Sequence, residues 1–402
     1  MTEPEAVRSE TSLRAARNAS LREIALLFLK LGSIAFGGPA AHIAMMEAEI
    51  VRRRRWLSRE EFLDLLGATN LIPGPNSTEL AIHIGHRQAG WAGLLVAGSC
   101  FILPAVFIVS AFAWAYVHYG SLPEINGILY GVKPVMIAII LQALWRLGHS
   151  ALKTKWLGII ASTGVALSFL GVHELAILFG CGVGVALQAG IIRRNRGPGL
   201  ASFFTGSSLA LASTEGVAGS LTTAVPFSLW PLFLFFLKVG SVLFGSGYVL
   251  LAFLRADLVE RWHWLSESQL LDAIAIGQAT PGPVFTTATF IGYVLGGTYG
   301  ATLATLGIFL PAFLFVAVSG PLVPQMRRSL TAGAFLDGVN AGSLALMTVV
   351  TWQLAKATLV DPMSVVLLAA SLILLVKLHF NSMGLVLGAA LVGLLTRGLR
   401  LI

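Results

Sequence analysis

The sequence predicts an all-α polytopic membrane protein built from two homologous halves, with about 10–12 membrane segments. Three observations lead to this class: the composition, the length of the apolar runs, and a repeat that covers most of the chain. Of the 402 residues, 56% are hydrophobic and 11% are charged, whereas a soluble domain carries about 25% charged residues. The composition therefore excludes an ordinary soluble enzyme, whose surface would need more charge.

The apolar runs are long enough to cross a bilayer. Residues 91–116 and 294–323 carry no charged side chain, and residues 125–144 carry only Lys133. A helix needs about 20 apolar residues to span a hydrocarbon core. We therefore expect a multi-pass membrane protein.

The N-terminal residues, the cysteines, the absence of catalytic motifs and the net charge limit the functions that the sequence allows. The polar residues 1–21 lack the apolar core of a signal peptide, so we expect a cytoplasmic tail. Cys100 and Cys181 fit no metal-ligand spacing and predict no disulfide framework. No nucleophile–base cluster or nucleotide motif occurs, so neither an enzyme nor a metal or other cofactor is expected. The net charge of +8 is explained by basic cytoplasmic loops, with attraction of an anionic solute as the alternative.

The chain repeats one unit. The segment LKLGSIAFG at 29–37 matches LKVGSVLFG at 237–245 at six of nine positions. The segment at 56–75, WLSREEFLDLLGATNLIPGP, matches WLSESQLLDAIAIGQATPGP at 264–283 at eight of twenty. We therefore divide the chain into a tail, a first repeat, a linker and a second repeat, at residues 1–21, 22–192, 193–228 and 229–402.

The basic residues predict that the two repeats are inverted. The first repeat carries Arg52–Arg55 where the second has arginines offset by acids, and it has a second basic loop from Arg146 to Lys155. Conversely, Arg327 and Arg328 stand where the first repeat has the uncharged HYGSLP. Lys and Arg collect in cytoplasmic loops, so the copies face opposite ways. Repeated halves with helices interrupted at matching positions are typical of secondary transporters.

Each repeat breaks a helix at a Pro-Gly-Pro motif, 73–75 and 281–283. Capping boxes predict helix starts at Ser58 and Ser266, and the ~14 residues that follow, roughly 21 Å of helix, are too few to span. Proline ends each helix, and the second proline suits the start of a new one. The new helix presents free amides at the positive end of its dipole, which favours an anion. Two such helix starts could hold one anion between the halves.

A second pair of breaks is predicted at FGGP, 36–39, and FGSG, 244–247. The first motif ends one helix and starts another at Pro39, which exposes the amides of Ala40, Ala41 and His42. The second lacks the proline, so its break is less well defined. For all four motifs the alternative is helix kinks and glycine packing between membrane helices.

These motifs resemble the chromate ion transporter family in its long, two-domain form. The resemblance rests on the paired FGGP/FGSG and PGP motifs, with WLS and an aspartate ahead of each PGP and LPA after it. It implies a bacterial inner-membrane transporter that exports chromate from the cytoplasm and confers chromate resistance, driven by membrane potential, a proton gradient or both. The second repeat departs from the first at Asn340 and Ala341, where the first has Lys133 and Pro134.

The resemblance also implies the partners. Chromate is the expected substrate, with sulfate, a dianion of nearly the same shape, as a second one. The lipid bilayer surrounds the chain, a homodimer is left open, and nucleic acid is not expected.

The predicted anion site comprises the four breaks and two matched lysines. Lys30 and Lys238 either neutralise the dianion or extend from a helix end to the interface. The remaining residues of the site are Gly37, Gly38, Pro39, Asn70, Pro73, Gly74, Pro75, Asn76, Ser77, Thr78, Gly245, Ser246, Gly247, Gln278, Pro281, Gly282, Pro283 and Thr286.

Glu79 and His83 are predicted to couple protons. They lie four residues apart on one face of the helix after the first PGP motif, and the second repeat has no ionisable residue at either position. An intramembrane acid beside a histidine suits proton relay. A satisfied polar pair inside the bundle is the alternative.

Two other functions stay open: a proton-coupled importer of sulfate or a related oxyanion, and an anion channel with the breaks as its filter. A membrane potential of 100 mV is worth ~2.3 kcal/mol per charge, so a dianion leaving an inside-negative cell gains ~4.6 kcal/mol. Efflux can therefore run on the potential alone, whereas uptake needs a coupled cation.

Overall fold

The computed structural model describes residues 19–36, 38–120, 122–194, 226–244, 247–378 and 380–398. Within these ranges the chain forms helices joined by short loops and no β-strand. Five of the described helices are long and apolar enough to cross a membrane, and four shorter ones are apolar. The predicted class, an all-α multi-pass membrane protein, is confirmed.

The helices of the two halves match one to one. Those described in the first half are α1 Leu21–Ile34, α2 Gly38–Glu47, α3 Arg59–Thr69, α4 Asn76–Tyr119, α5 Pro123–Ala151, α6 Lys155–Phe169 and α7 Glu174–Arg194. Those described in the second half are α8 Leu229–Val242, α9 Leu250–Phe253, α10 Glu267–Ala279, α11 Thr287–Arg328, α12 Leu330–Thr358, α13 Pro362–Val376 and α14 Ser382–Gly398. π-Helical segments, Ala48–Arg53 and Leu254–Arg261, continue α2 and α9.

The predicted starts and breaks of the helices are confirmed. The Ser58 hydroxyl accepts from the Glu61 amide while the Glu61 carboxylate accepts from the Ser58 amide, and Ser266 and Gln269 cap α10 in the same way. Helices α3 and α10 are 11 and 13 residues long, which is too short to span. Both stop before a PGP motif, and a new helical segment begins directly after it.

The FG motifs interrupt helices as well. Helix α1 ends at Ile34, and α2 begins at Gly38 with a φ of +77°. Helix α8 ends at Val242, ahead of a 3-10 turn at Gly247–Val249. The second half is therefore interrupted here although its motif lacks the proline.

The interrupted helices of the first half turn back instead of crossing. The Ala19 amide donates to Gln88 Oε1 at 3.2 Å, and Gln88 Nε2 donates to the Trp56 carbonyl at 3.1 Å. The start of α1, the loop before α3 and residue 88 of α4 thus lie together. From Ala19 to Trp56, and again from Trp56 to Gln88, the chain enters the interior of the molecule and returns to the same end. Residues 19–88 therefore form two re-entrant hairpins with the FGGP and PGP motifs at their tips.

A tight turn divides α4 into a short limb, 76–88, and a long limb, 91–119. Gly90 has a φ of +58°, and a Cβ on Gly85 would lie 2.2 Å from the Gly93 carbonyl oxygen. The limbs therefore pack side by side in opposite directions, at a separation that only glycine allows. The long limb then crosses the molecule. The matching turn of α11 uses Gly292, Gly297 and Gly300.

The two halves have opposite orientations. Tyr116 lies at the far end of the long limb of α4 from Gln88, and its hydroxyl donates to Asp272 Oδ2 at 2.9 Å. Asp272 lies near the start of α10, where the PGP hairpin of the second half begins. The hairpins of the two halves thus begin at opposite ends of one crossing helix, as the prediction of inverted repeats requires.

We call the end where the first-half hairpins begin the basic end, because Arg52–Arg55 lie there, and the other the opposite end. Helix α11 finishes at the basic end with Arg327 and Arg328, and α5 returns to it just before Lys153. Basic residues of both halves therefore lie at this end, whereas the arginines of the segment Leu254–Arg261, at the opposite end, are paired with acids. An excess of basic residues on one side is the usual distribution in a membrane protein.

The later helices of each half pack on the other half. Helix α7 packs against α12, where Gly338 lies against Cys181, and α14 packs against α5, where Gly131 lies against Ala389. Because the last helix of each half packs against a helix of the other half, the two halves are intertwined. Cys100 and Cys181 are free thiols.

Cysteine labelling tests the inverted arrangement. In a chain without Cys100 and Cys181, we expect single cysteines at the matched, exposed positions Arg52 and Glu260 to react with a membrane-impermeant thiol reagent from opposite sides. Reaction of both cysteines from one side would contradict the inversion.

Candidate functional site

The breaks of the two halves interlock at the centre of the molecule. The amide of Gly74, in the first PGP motif, donates to the carbonyl of Leu243 at 2.7 Å. The amide of Gly282, in the second, donates to the carbonyl of Ala35 at 2.9 Å. Leu243 and Ala35 immediately precede the FG motifs, so each PGP break is bonded to the FG break of the other half.

Glycine is required at both PGP tips. Gly74 and Gly282 have φ values of +142° and +94°, which other residues rarely adopt. A Cβ on Gly282 would lie 2.7 Å from the Ala105 Cβ, in the middle of the long limb of α4. A Cβ on Gly74 would lie 2.3 Å from Glu79 Oε1. The tips therefore sit at mid-depth, against the crossing helices.

A cavity of about 950 Å³ lies beside the first-half breaks. Its wall is formed by these breaks, by α5, by α12 and by residues 380–382 at the start of α14, and it extends to Lys153 near the basic end. The break residues that line it are Phe36, Pro39, Ala40, Ala41, Asn70 and Leu71. The polar residues on the other walls are Gln142, Arg146, Ser150, Lys153, Asp337, Asn340, Asn381 and Ser382.

Among the described residues that line it, the cavity contains one uncompensated cation. Lys153 Nζ pairs with Asp337 Oδ1 at 2.7 Å, so its charge is largely balanced. Arg146 makes no ion pair or hydrogen bond with any described residue, and its side chain is accessible to solvent. A guanidinium in one cavity with neutral amides such as Asn340 suits an oxyanion, which accepts several N–H donors at once.

Unpartnered polar atoms gather behind the first PGP break. Glu79 is fully buried and neither carboxylate oxygen has a hydrogen-bond partner; Thr78 Oγ1 and His83 Nε2 have none either. In the second half, the hydroxyls of Thr286 and Thr287 donate to carbonyls of their own helix. At these described positions, the first half therefore keeps polar capacity that Thr286 and Thr287 of the second half do not.

The helix-start amides are fewer than the sequence predicts. The Thr78 amide donates to the Pro75 carbonyl at 2.8 Å, and the Thr286 amide donates to the Pro283 carbonyl at 3.0 Å. The first two residues after each PGP motif retain the donors of a helix start. Asn76 Nδ2 also donates to Asn70 Oδ1 at 2.8 Å, which links the helix start to the cavity wall.

The two halves contribute unequally. Residues 280–286, which include Pro281 and Pro283, are all buried, whereas Asn70 and Pro39 face the cavity. The cavity thus reaches the first-half breaks, and the described residues do not show two helix starts facing one open space. Gly247 packs against the Phe285 ring. Gly37, Gly245 and Ser246 lie outside the described residues.

The matched lysines are paired within their own halves. Lys30 Nζ lies 2.8 Å from Glu49 Oε1, and Lys238 Nζ lies 2.6 Å from Asp257 Oδ2. These contacts join α1 and α8 to the π-helical segments. A positioning role for the hairpins accounts for both lysines without a bound anion.

His42 connects the two breaks of the first half. Its Nδ1 lies 3.2 Å from Ser77 Oγ and its Nε2 lies 3.0 Å from the Ala35 carbonyl. Ser77, a predicted site residue, is thereby held at the start of α4. The second half has Leu250 at the position of His42 and lacks this link.

Sequence reasoning missed Arg146 and Asn340 as site residues. The sequence predicts a basic loop from Arg146 to Lys155, whereas α5 continues to Ala151 and carries Arg146 inside the helix. One signal was present: Trp145 matches Trp352, and the next residue is arginine in one repeat and Gln353 in the other. A charge at one copy of a repeated helical position marks a difference in role.

Comparisons with known proteins give a consistent result. A family model described as Chromate transporter matches the chain twice, at residues 22–186 and 230–394. The chain is 33% identical to a protein named Chromate transport protein from Cupriavidus metallidurans, over 95% of each chain.

Two further relatives carry similar names. A Chromate transport protein from Pseudomonas aeruginosa is 34% identical over 82% of this chain and 80% of its own. A Probable chromate transport protein from Synechococcus elongatus is 30% identical over 85% of this chain and 86% of its own. No solved structure matches.

Proposed function

The chain belongs to the chromate transporter family, and from that premise we propose that it is a secondary transporter that exports chromate from the cytoplasm and thereby confers chromate resistance. We place it in the inner membrane, with the basic end in the cytoplasm. Sulfate as a competing substrate and a homodimer remain predictions.

The observation that carries the proposal is Arg146, the uncompensated cation in the cavity beside the first-half breaks. A tetrahedral dianion can accept from the guanidinium while Asn340 and the free helix-start amides supply neutral donors. One cation with neutral donors binds a dianion without fully neutralising it. That balance suits a carrier, which must also release its cargo.

The direction follows from the cavity and the membrane potential. The cavity extends toward the basic end, so an anion loads from the side that we assign to the cytoplasm. The interlocked tips, bonded at Gly74 and Gly282, lie between this cavity and the opposite end. A barrier at mid-depth supports a carrier over an open channel. The outward gain of ~4.6 kcal/mol for a dianion at 100 mV is enough to drive efflux.

Flux measurements in proteoliposomes test this function. We expect saturable chromate transport that accelerates when the chromate side is made electrically negative, and that sulfate inhibits by competition. A flux that does not saturate would indicate a channel. A flux that needs a pH gradient and ignores the potential would indicate a proton-coupled importer.

The proton-coupled alternative is favoured by one observation, the unpartnered carboxylate of Glu79. Burying an unpaired carboxylate charge is very costly, so a change in the surroundings of Glu79 can drive it to take up or release a proton. His83 lies on the same limb of α4, and His42 reaches the start of that limb through Ser77. These groups are the titratable neighbours through which a proton could move.

Replacing Glu79 with glutamine tests proton coupling. We expect Glu79→Gln to flatten the pH dependence of transport and to leave chromate binding largely intact, because the amide keeps the shape but cannot exchange a proton. Glu61→Gln, at the surface, serves as the control and should keep the parent profile. An unchanged pH profile in Glu79→Gln would remove this residue from the mechanism.

A further inference from the structure

The inverted repeat gives the cavity a counterpart at the opposite end. A space of about 190 Å³ lies between α12 and the π-helical segment Leu254–Arg261. It is lined by Gln353, which matches Arg146, and by Val349, which matches Gln142. We call the two spaces the basic-end cavity and the opposite-end cavity. The two spaces lie against matching faces of α5 and α12, and the basic-end cavity is the larger.

Two side-chain contacts close the opposite-end cavity. Arg255 Nη1 donates to Gln353 Oε1 at 2.8 Å, which ties the π-helical segment to α12. Arg261 Nη2 lies 2.9 Å from Glu174 Oε2, which ties the same segment to the start of α7. The carboxylates of Glu260 and Glu267 also contact Arg255 and hold it in place.

The matching contact at the basic end is not made. Glu47 matches Arg255, and Arg146 matches Gln353. Glu47 pairs instead with Arg52 at 3.4 Å and with Arg59 at 4.0 Å. Arg146 lines the wide cavity without a partner among the described residues.

The two matched pairs are complementary in different ways. At the opposite end an arginine of the broken segment meets a neutral acceptor on α12. At the basic end an acid of the broken segment, Glu47, would meet a cation on α5, Arg146. The residue types differ between the two pairs, but in each pair the two side chains can form a hydrogen bond or an ion pair. Two unrelated surface positions would have no reason to be complementary in both repeats.

From this correspondence we propose that Glu47 is a positioning residue that captures Arg146 and closes the basic-end cavity when the opposite-end cavity opens. Opening breaks the contacts of Arg255 with Gln353 and of Arg261 with Glu174. The basic end then adopts the closed arrangement that the opposite end has in this structure, with the broken segment bonded to the facing long helix. Arg146 holds the anion while the basic-end cavity is open, and Glu47 replaces the anion after it has left.

The test measures access from each end without chromate, so its failure is distinct from failure of the proposed substrate. A chain lacking Cys100 and Cys181 receives a reporter cysteine either at Ser150, in the basic-end cavity, or at Ser168, in the opposite-end cavity. A membrane-impermeant thiol reagent then reports how open each cavity is.

Glu174→Gln, which weakens the closed opposite end, should slow labelling at Ser150→Cys and speed labelling at Ser168→Cys. We expect each rate to change at least about fivefold, the lower limit of typical coupling between sites. A variant that merely unfolds would speed both reactions, so opposite changes identify a shift between two states.

Adding Glu47→Gln to Glu174→Gln should restore labelling at Ser150→Cys, because the closing pair is lost. Glu60→Gln, an exposed acid at the same end, is the matched control and should not restore it. The proposal is overturned if Glu174→Gln leaves both rates unchanged, or if Glu47→Gln and Glu60→Gln have the same effect.

Discussion

Replacing Arg146 with glutamine is expected to abolish measurable chromate transport while the protein still inserts into the membrane. Arg146 is the cation of the basic-end cavity that no described residue neutralises, so the change removes the positive charge that a dianion needs. Hydrogen bonds to charged groups contribute about 1.5–3 kcal/mol, roughly 10- to 100-fold in affinity. Initial rates of chromate flux in proteoliposomes measure the loss.

Lys153→Gln is the matched control for this prediction. Lys153 lines the same cavity but is paired with Asp337, so its loss should reduce the rate only a few-fold. Arg146→Lys should retain part of the activity, because the charge remains but the planar set of donors is lost. Parent rates in Arg146→Gln, or equal losses in Arg146→Gln and Lys153→Gln, would show that Arg146 has no special role.

The second large effect is expected at the interlocked tips. Gly282→Leu should abolish transport, because a side chain there meets Ala105 and adopts a backbone conformation that costs about 1–3 kcal/mol. Both effects push the second PGP tip away from the Ala35 carbonyl that its amide now binds. Gly74→Leu should act in the same way at the reciprocal contact. Flux and membrane insertion are measured together.

Gly297→Leu separates crowding from backbone strain. Gly297 also has a positive φ, of +59°, but a Cβ there would meet nothing within 4 Å. It should therefore keep most of the activity. If Gly282→Leu transports chromate as Gly297→Leu does, the interlock is not needed for transport.

Local signals in the sequence predicted the interruptions of the helices. The capping boxes at Ser58 and Ser266 and the prolines after them act within one or two turns, so their consequences can be derived from neighbouring residues. Duplication made the signals stronger, because the same break recurs in register. The inverted orientation was also predictable, since the basic loops record which side each segment faces.

The path of the interrupted helices depends on distant contacts and was not predictable from local signals. The ends of the hairpins meet where Gln88 bonds to Ala19 and Trp56, which are far from it in sequence. The interlock likewise joins Gly74 to Leu243 across the two halves. Single-sequence patterns do not reveal such pairs.

The site was only partly predictable for a related reason. The first-half breaks were identified, but the wall that faces them was not, because Arg146 was assigned to a loop. Helix α5 continues past it to Ala151, and α12 of the other half completes the cavity wall in which it lies. The neighbours of Arg146 in the cavity therefore become known only when the two halves are packed together.

The central claim is that chromate binds in the basic-end cavity, between Arg146 and the first-half breaks. Equilibrium binding of chromate to the purified protein tests it most directly, with the parent, Arg146→Gln and Lys153→Gln compared in one assay. The account predicts that Arg146→Gln weakens chromate binding roughly 10- to 100-fold and that Lys153→Gln changes it little. Parent-like affinity in Arg146→Gln would contradict the account and place the anion site elsewhere.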